Sequence, residues 1–283
     1  MIDYLNYSGA VCVVTGAGSG IGKATAEVLV DLGAIVYTID IQDCNIPGIK
    51  KHIHTDLAYK ESIDQAFTQI PSKIDKFFGI AGVFGLNQDL VTAFTINFIA
   101  NKYITETYVI PRLTEGEYGA IAFLDSVGGS RWAYHIDDYK DLVEADTWDD
   151  MVSAIKAKPI EGRPGSAAYT LSKRALNYYM KLRAPSLAAK GNRMNTVAPH
   201  YTETPMLEGI IAAQKAQGRT NLYDSKGAFE RLGKPIDAAK AIIFLNSDMA
   251  TYISGHILYE EGGMQAMIEL GKAPLVMDET TWR

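Results

Sequence analysis

Short apolar runs alternate with helical stretches along most of the 283 residues, and this rhythm narrows the possible folds more than any other feature. Runs without a polar face suit strands buried on both sides, as in a parallel sheet covered by helices. The pattern predicts strands near Ala10–Thr15, Ala34–Asp40, Lys51–Thr55, Lys76–Ile80, Ala120–Asp125, Arg193–Val197 and His256–Tyr259. A first helix is expected from the glycine-spaced turn at Thr15 to Gly22, with Ala24, Val28 and Leu32 as its buried stripe. Further helices are expected over Tyr59–Gln69, Asp89–Leu113, Ser166–Ala189 and Pro235–Asn246. Repeated βα units with right-handed crossovers give an α/β fold, a doubly wound (Rossmann) parallel sheet of about seven strands.

No composition shift, Pro/Ser-rich linker or internal repeat divides the chain, so residues 1–283 read as one domain. One stretch breaks the rhythm. Residues 131–165 contain Tyr139 to Glu144 and then Thr147-Trp148-Asp149-Asp150, where a threonine with an acid three residues on resembles a helix start. They read as a helical insertion, from which Gly162, Pro164 and Gly165 return the chain to the main fold. Its aromatics Trp132, Tyr134, Tyr139 and Trp148 either line a pocket for a flat apolar molecule or pack the insertion itself. Residues 204–228 read as a mobile lid containing Ala212, Ala213, Gly218 and Asn221, and residues 264–283 as a C-terminal tail.

A formal charge of −6, with lysine and arginine scattered, argues against a nucleic-acid or anionic-membrane surface. Two cysteines, Cys12 and Cys44, make no disulfide framework and suit a reducing compartment. The opening Met1-Ile2-Asp3-Tyr4-Leu5-Asn6 lacks the basic start and apolar core of a signal peptide, and no apolar run is long enough to span a bilayer. A cytoplasmic location is expected. His52 and His54 alternate on one strand face without a nearby cysteine or acidic pair, so no metal is expected.

Gly16, Gly20 and Gly22 follow an apolar strand and open a helix, the context a phosphate-binding turn needs. Without Cβ atoms the backbone turns tightly, and free N–H groups at the helix start meet a pyrophosphate charge. Ser19 and Ile21 complete that turn. Asp40 ends the second strand 18 residues beyond Gly22, about where a carboxylate accepts hydrogen bonds from an adenosine ribose. Ile41, Gln42 and Ser19 bring no cation to neutralise a 2′-phosphate, which favours NAD(H) over NADP. Asp56 and Leu57, past the third strand, hold an adenine edge or are an ordinary loop acid and core leucine.

Tyr169 and Lys173 stand at i and i+4 on an expected helix, so phenol and ammonium share a face and the ammonium lowers the cost of ionising the phenol. Bringing a tyrosine from its ordinary pKa near ~10 to neutrality takes roughly 4 kcal/mol of preferential phenolate stabilisation. Tyr169 would take a hydroxyl proton as hydride leaves an alcohol carbon, and return it in carbonyl reduction.

Together these motifs resemble the short-chain dehydrogenase/reductase family over nearly the whole chain, most closely its bacterial hydroxysteroid dehydrogenase/carbonyl reductases. Ala81-Gly82 resemble the end of an Asn-Ala-Gly segment, and Asn97 and Ser126 the remaining members of a tetrad with Tyr169 and Lys173. Pro199, Thr202 and Thr204 match the nicotinamide-end segment, although both threonines also suit the start of a helix at Pro205. The resemblance implies that Ser126 donates to the substrate oxygen, Lys173 anchors the nicotinamide ribose and Asn97 holds a relay water. It also implies a homodimer or homotetramer, with the insertion remodelling or blocking a helical interface.

Three departures stand out: Ile80 in place of asparagine, His200 in place of the glycine after Pro199, and a 43-residue gap from Ser126 to Tyr169. The expected function is NAD(H)-dependent interconversion of a secondary alcohol and ketone, with a hydroxysteroid or bile-acid-like substrate. A broad-specificity carbonyl reductase for small aromatic or alicyclic ketones is the alternative. A dinucleotide-sensing regulator is disfavoured by the complete tetrad, and a nucleotide-sugar epimerase by the glycine spacing.

Overall fold

Along β1 (Val11–Thr15), Val13 enters one hydrophobic core while Cys12 and Val14 enter another, the period-two projection of a strand buried on both faces. The computed structural model describes residues 3–159, 166–216, 218 and 226–272. The other strands are β2 (Ile35–Asp40), β3 (Lys51–His54), β4 (Lys76–Gly79), β5 (Ala120–Leu124), β6 (Arg193–Pro199) and β7 (Ile257–Glu260). All pairings are parallel, in the order β3-β2-β1-β4-β5-β6-β7, which is the expected doubly wound sheet. The two-sided pattern recurs in β5, where Ile121 and Phe123 face one core and Ala122 the other. Full burial of a ring such as Phe123 contributes about 1.5–3 kcal/mol.

Helices α1 (Gly20–Asp31), α2 (Lys60–Phe67), α3 (Leu90–Phe94), α4 (Ala100–Ile104), α5 (Ile136–Glu144), α6 (Trp148–Lys156), α7 (Ala167–Ala188), α8 (Pro205–Ala216), α9 (Pro235–Asn246) and α10 (Met264–Glu269) flank the sheet. In α1 the buried stripe is Ile21, Gly22, Thr25, Ala26 and Leu29, whereas Ala24, Val28 and Leu32 are half-buried. The expected stripe is rotated because Gly22 must pack against the turn: a Cβ there would lie 1.9 Å from the Gly16 carbonyl oxygen. The helix expected over Asp89–Leu113 is interrupted by π-helical turns at Thr95–Ile99 and Thr105–Val109 and ends in a 3₁₀ turn at Ile110–Arg112.

The insertion forms α5 and α6, which pack against the main helices. Thr147 caps α6, its hydroxyl accepting from Asp150 N at 3.1 Å. Lys102 Nζ, buried beneath the insertion, donates to the carbonyls of Val143 (2.7 Å) and Ala145 (2.5 Å). Tyr139 is fully buried and its hydroxyl donates to the Trp132 carbonyl, while Trp148 meets Tyr103 edge-on at 5.4 Å between centroids. Trp132, Tyr139 and Trp148 therefore pack the insertion and hold it against the main helices, whereas Tyr134 is exposed. Gly162, Pro164, Gly165 and Asn221 lie outside the described residues, as does the tail beyond Lys272. No helix of the described residues is long and apolar enough to cross a membrane.

Candidate active site

The order of the sheet reverses between β1 and β4, so the loops leaving their carboxyl ends diverge and open a crevice. A cavity of about 460 Å³ occupies that crevice. Gly16, Ser19, Gly20, Ile21 and Gly22 line it from the α1 side, Asp40 and Ile41 from β2, and Asp56 and Leu57 from the loop after β3. Ala81 and Gly82 line it after β4, Ser126 after β5, Tyr169 and Lys173 from α7, Pro199 from the end of β6, and Thr202 and Thr204 just after it. Asn97 is fully buried and not among the lining residues.

The glycine turn is close-packed. Gly16 has φ +76 and a Cβ on it would meet the Ala81 backbone at 2.7 Å, so α1, β1 and the segment after β4 approach as only glycine allows. Thr15 Oγ1, at the end of β1, accepts from Ile80 N at 3.0 Å and Ala81 N at 3.2 Å. Asp40 Oδ2 accepts from Gly18 N and Oδ1 from Gln42 N, both at 2.8 Å, tying the turn to the end of β2. Asp56 Oδ1 accepts from Ala58 N at 2.9 Å. Thr204 Oγ1 accepts from Leu207 N at 3.3 Å, so it starts α8 while also touching the glycine turn, its Cγ2 lying 3.2 Å from a Cβ built on Gly20.

Across the crevice, Lys173 Nζ lies 5.6 Å from the Tyr169 ring centroid and donates to the Leu124 carbonyl at 2.6 Å. A Cβ on Gly82 would come within 3.7 Å of that ammonium. Phe84 packs on the Tyr169 ring at 5.1 Å between centroids. Asn97, in the first π-helical turn, gives its whole amide to neighbours: Oδ1 accepts from Val83 N (2.8 Å), and Nδ2 donates to Val83 O (2.9 Å) and Ser172 Oγ (3.2 Å). It clamps the segment after β4.

Electrostatics here depart from the sequence expectation of an easily ionised phenol. Burial pushes Tyr169 up to about 12; the Ser126 hydroxyl's hydrogen bond opposes the shift, and the charge of Asp125 adds to it. Burial likewise drives Lys173 down and Asp125 up, each partly restrained by the other's charge. Asp125, one residue before Ser126, and Asn177, one turn beyond Lys173, are site neighbours that the sequence reading did not single out. His200 donates its N–H to Glu260 O at 2.9 Å and lies edge-on to Tyr201, forming a wall of the cavity that the usual glycine would leave open.

A nucleotide-sized crevice at the switch point, with a glycine turn on one side and a buried Tyr-Lys pair on the other, defines a dinucleotide-type α/β enzyme site. Comparison with known proteins sharpens this. The family model described as short chain dehydrogenase matches residues 10–140, and one described as Enoyl-(Acyl carrier protein) reductase matches residues 151–265. The coniferyl-alcohol dehydrogenase of Pseudomonas sp. (strain HR199 / DSM 7063) is 30% identical over 89% of this chain and 95% of its own. The 3-alpha-hydroxysteroid dehydrogenase/carbonyl reductase of Comamonas testosteroni is 26% identical over 92% of this chain and 98% of its own. In fold, the chain is similar to the 3-alpha-hydroxysteroid dehydrogenase from Pseudomonas sp. B-0831 complexed with NADH. That likeness has a TM-score of 0.77 and 23% identity, over 92% of this chain and 99% of that one. The chain belongs to the short-chain dehydrogenase family of oxidoreductases, which use a nicotinamide cofactor.

Proposed function

We propose that the protein is an NAD(H)-dependent oxidoreductase that interconverts a secondary alcohol and a ketone, with a hydroxysteroid or bile-acid-like molecule as substrate. The observation that carries this reading is the convergence of Ser126, Tyr169 and Lys173 on one wall of the crevice whose other wall is the glycine turn. The residues present fit a dinucleotide. Gly16, Ser19, Gly20, Ile21 and Gly22 would hold its pyrophosphate, Asp40 its adenosine ribose, Asp56 and Leu57 its adenine, and Ala81, Gly82, Lys173, Pro199, Thr202 and Thr204 its nicotinamide half. When bound, the nicotinamide accepts or donates the hydride.

The chain supplies the proton chemistry. Tyr169 Oη takes the alcohol proton in oxidation and returns it in reduction. Ser126 Oγ orients and polarises the substrate oxygen. Lys173 supports the phenolate by its charge, and Asn97 contributes by fixing Val83 beside them. Asp40, with Ile41 and Gln42 beside it, supports NAD(H) over NADP, because a 2′-phosphate would meet a carboxylate and no cation. Met206, Leu207 and Ile210 of α8 give the open side an apolar lining, which supports an apolar substrate and a lid role for residues 204–228. The name of the coniferyl-alcohol relative supports the second reading, a broad-specificity carbonyl reductase or alcohol dehydrogenase for small aromatic or alicyclic ketones.

The test is an absorbance screen of nicotinamide reduction with a steroid, bile-acid, aromatic-alcohol and alicyclic library, run with NAD and NADP in parallel. Turnover of steroids with NAD is expected. Turnover confined to small ketones and alcohols removes the steroid substrate, and NADP preference removes the Asp40 argument.

A further inference from the structure

β5 is followed by an acid whose side chain is almost wholly withdrawn from solvent. Asp125 is 1% exposed, and its backbone N–H donates to Val197 O at 2.7 Å, continuing the β5–β6 register past the end of the strand. Its Oδ2 accepts from Asn177 Nδ2 at 2.7 Å, and Asn177 Oδ1 in turn accepts from Thr196 Oγ1 of β6 at 2.9 Å. Its Oδ1 is buried with no hydrogen-bond partner among the described residues. The chain keeps room for that oxygen: a Cβ on Gly129 would lie 2.3 Å from it. Burying a carboxyl this way is costly unless a charge answers it.

The neighbouring cation is Lys173. Its ammonium is held on the carbonyl of Leu124, the residue before Asp125, and Asn177 sits at i+4 from it on the same face of α7. The lysine is 3% exposed, so solvent does little to support its charge. Among the described residues, the ionisable groups that interact with Asp125 are Lys173 and Tyr169 from α7 and Tyr259 from β7, and of these Lys173 is the cation. We propose that Asp125 is a positioning residue: its carboxylate, braced by Asn177 and Thr196 behind the site, is the counter-charge that supports the ammonium of the buried Lys173. The role rests on the oxidoreductase reading, in which the charged lysine supports the Tyr169 phenolate.

Asp125→Asn keeps the shape and the acceptor for Asn177 but removes the charge. The alkaline limb of kcat/KM for ketone reduction then moves to lower pH, because losing the carboxylate lowers both the Lys173 ammonium and the Tyr169 phenol that its charge holds up. A uniform drop with the limb in place, or a shift to higher pH, overturns the proposal. If Asp125→Asn does not fold, Asp125→Ser carries the same expectation.

A second readout needs no turnover and so separates failure of this inference from failure of the oxidoreductase reading. Lys173 is driven down in the folded state, so the unfolded chain binds the extra proton above its folded pKa and stability rises with pH there. Asp125 is itself raised to about 7 in the folded state, so the comparison is made above that pH, where its own titration is over: there the rise, measured by thermal unfolding, begins about one unit lower in Asp125→Asn than in wild type. Curves that stay parallel overturn the counter-charge.

Discussion

Tyr169 sits in an environment that favours its protonated form, since burial and the Asp125 charge outweigh the Ser126 hydrogen bond. The cofactor-free protein thus holds a phenol, and a bound positive charge is needed to draw the proton off. Binding of oxidised cofactor should therefore tighten with rising pH and release protons, whereas reduced cofactor should not. Calorimetry in two buffers of different ionisation enthalpy measures this, and equal proton release for both forms would contradict it. Tyr169→Phe should lower kcat by about 10²–10⁴-fold, the usual range for losing a general acid or base, with NADH affinity within a few-fold of wild type. Steady-state rates with a fluorescence titration of NADH check both halves.

At the level of elements, the first π-helical turn explains how a side chain from the middle of a helical stretch reaches the segment after β4. The extra residue in the turn re-aims Asn97 at Val83. Asn97→Ala would leave the Val83 N–H and carbonyl without these partners, costing about 1–3 kcal/mol and lowering kcat more than it raises KM. Denaturant unfolding and initial rates test it, and an unchanged Tm would remove the clamp.

The strands were readable because their apolar runs have no alternative burial. The glycine turn and the Tyr-Lys pair were readable because their spacing carries the chemistry. The π-helical turns were not, since Thr95 to Ile99 satisfy a regular helix as well as a widened one, and only packing against Val83 selects between them. Asp125 reads in sequence only as the last residue of the expected strand Ala120–Asp125. Its burial follows from α7 and β6 closing over it, contacts between residues 52 and 19 positions apart.

At the scale of the molecule, α5 and α6 lie over helices of the main fold and are tied to them by the buried Lys102. A homodimer or homotetramer is the proposed state, with this insertion remodelling or blocking one of the helical interfaces. Light scattering should give a mass at a multiple of 30.9 kDa. Lys102→Ala, which frees the carbonyls of Val143 and Ala145, should lower Tm without changing that multiple. A purely monomeric protein would refute the assembly.

An all-parallel sheet has no hairpins, and its centre joins β1 to β4, with Cys12 beside Lys76. The crevice floor therefore exists only after a stretch of more than 60 residues has been closed into a loop, an entropic barrier met before any contact with nucleotide can form. NADH should then leave the refolding rate in stopped-flow experiments almost unchanged while slowing unfolding. Bound cofactor would act on this chain as a latch on the finished molecule and not as a template for making it.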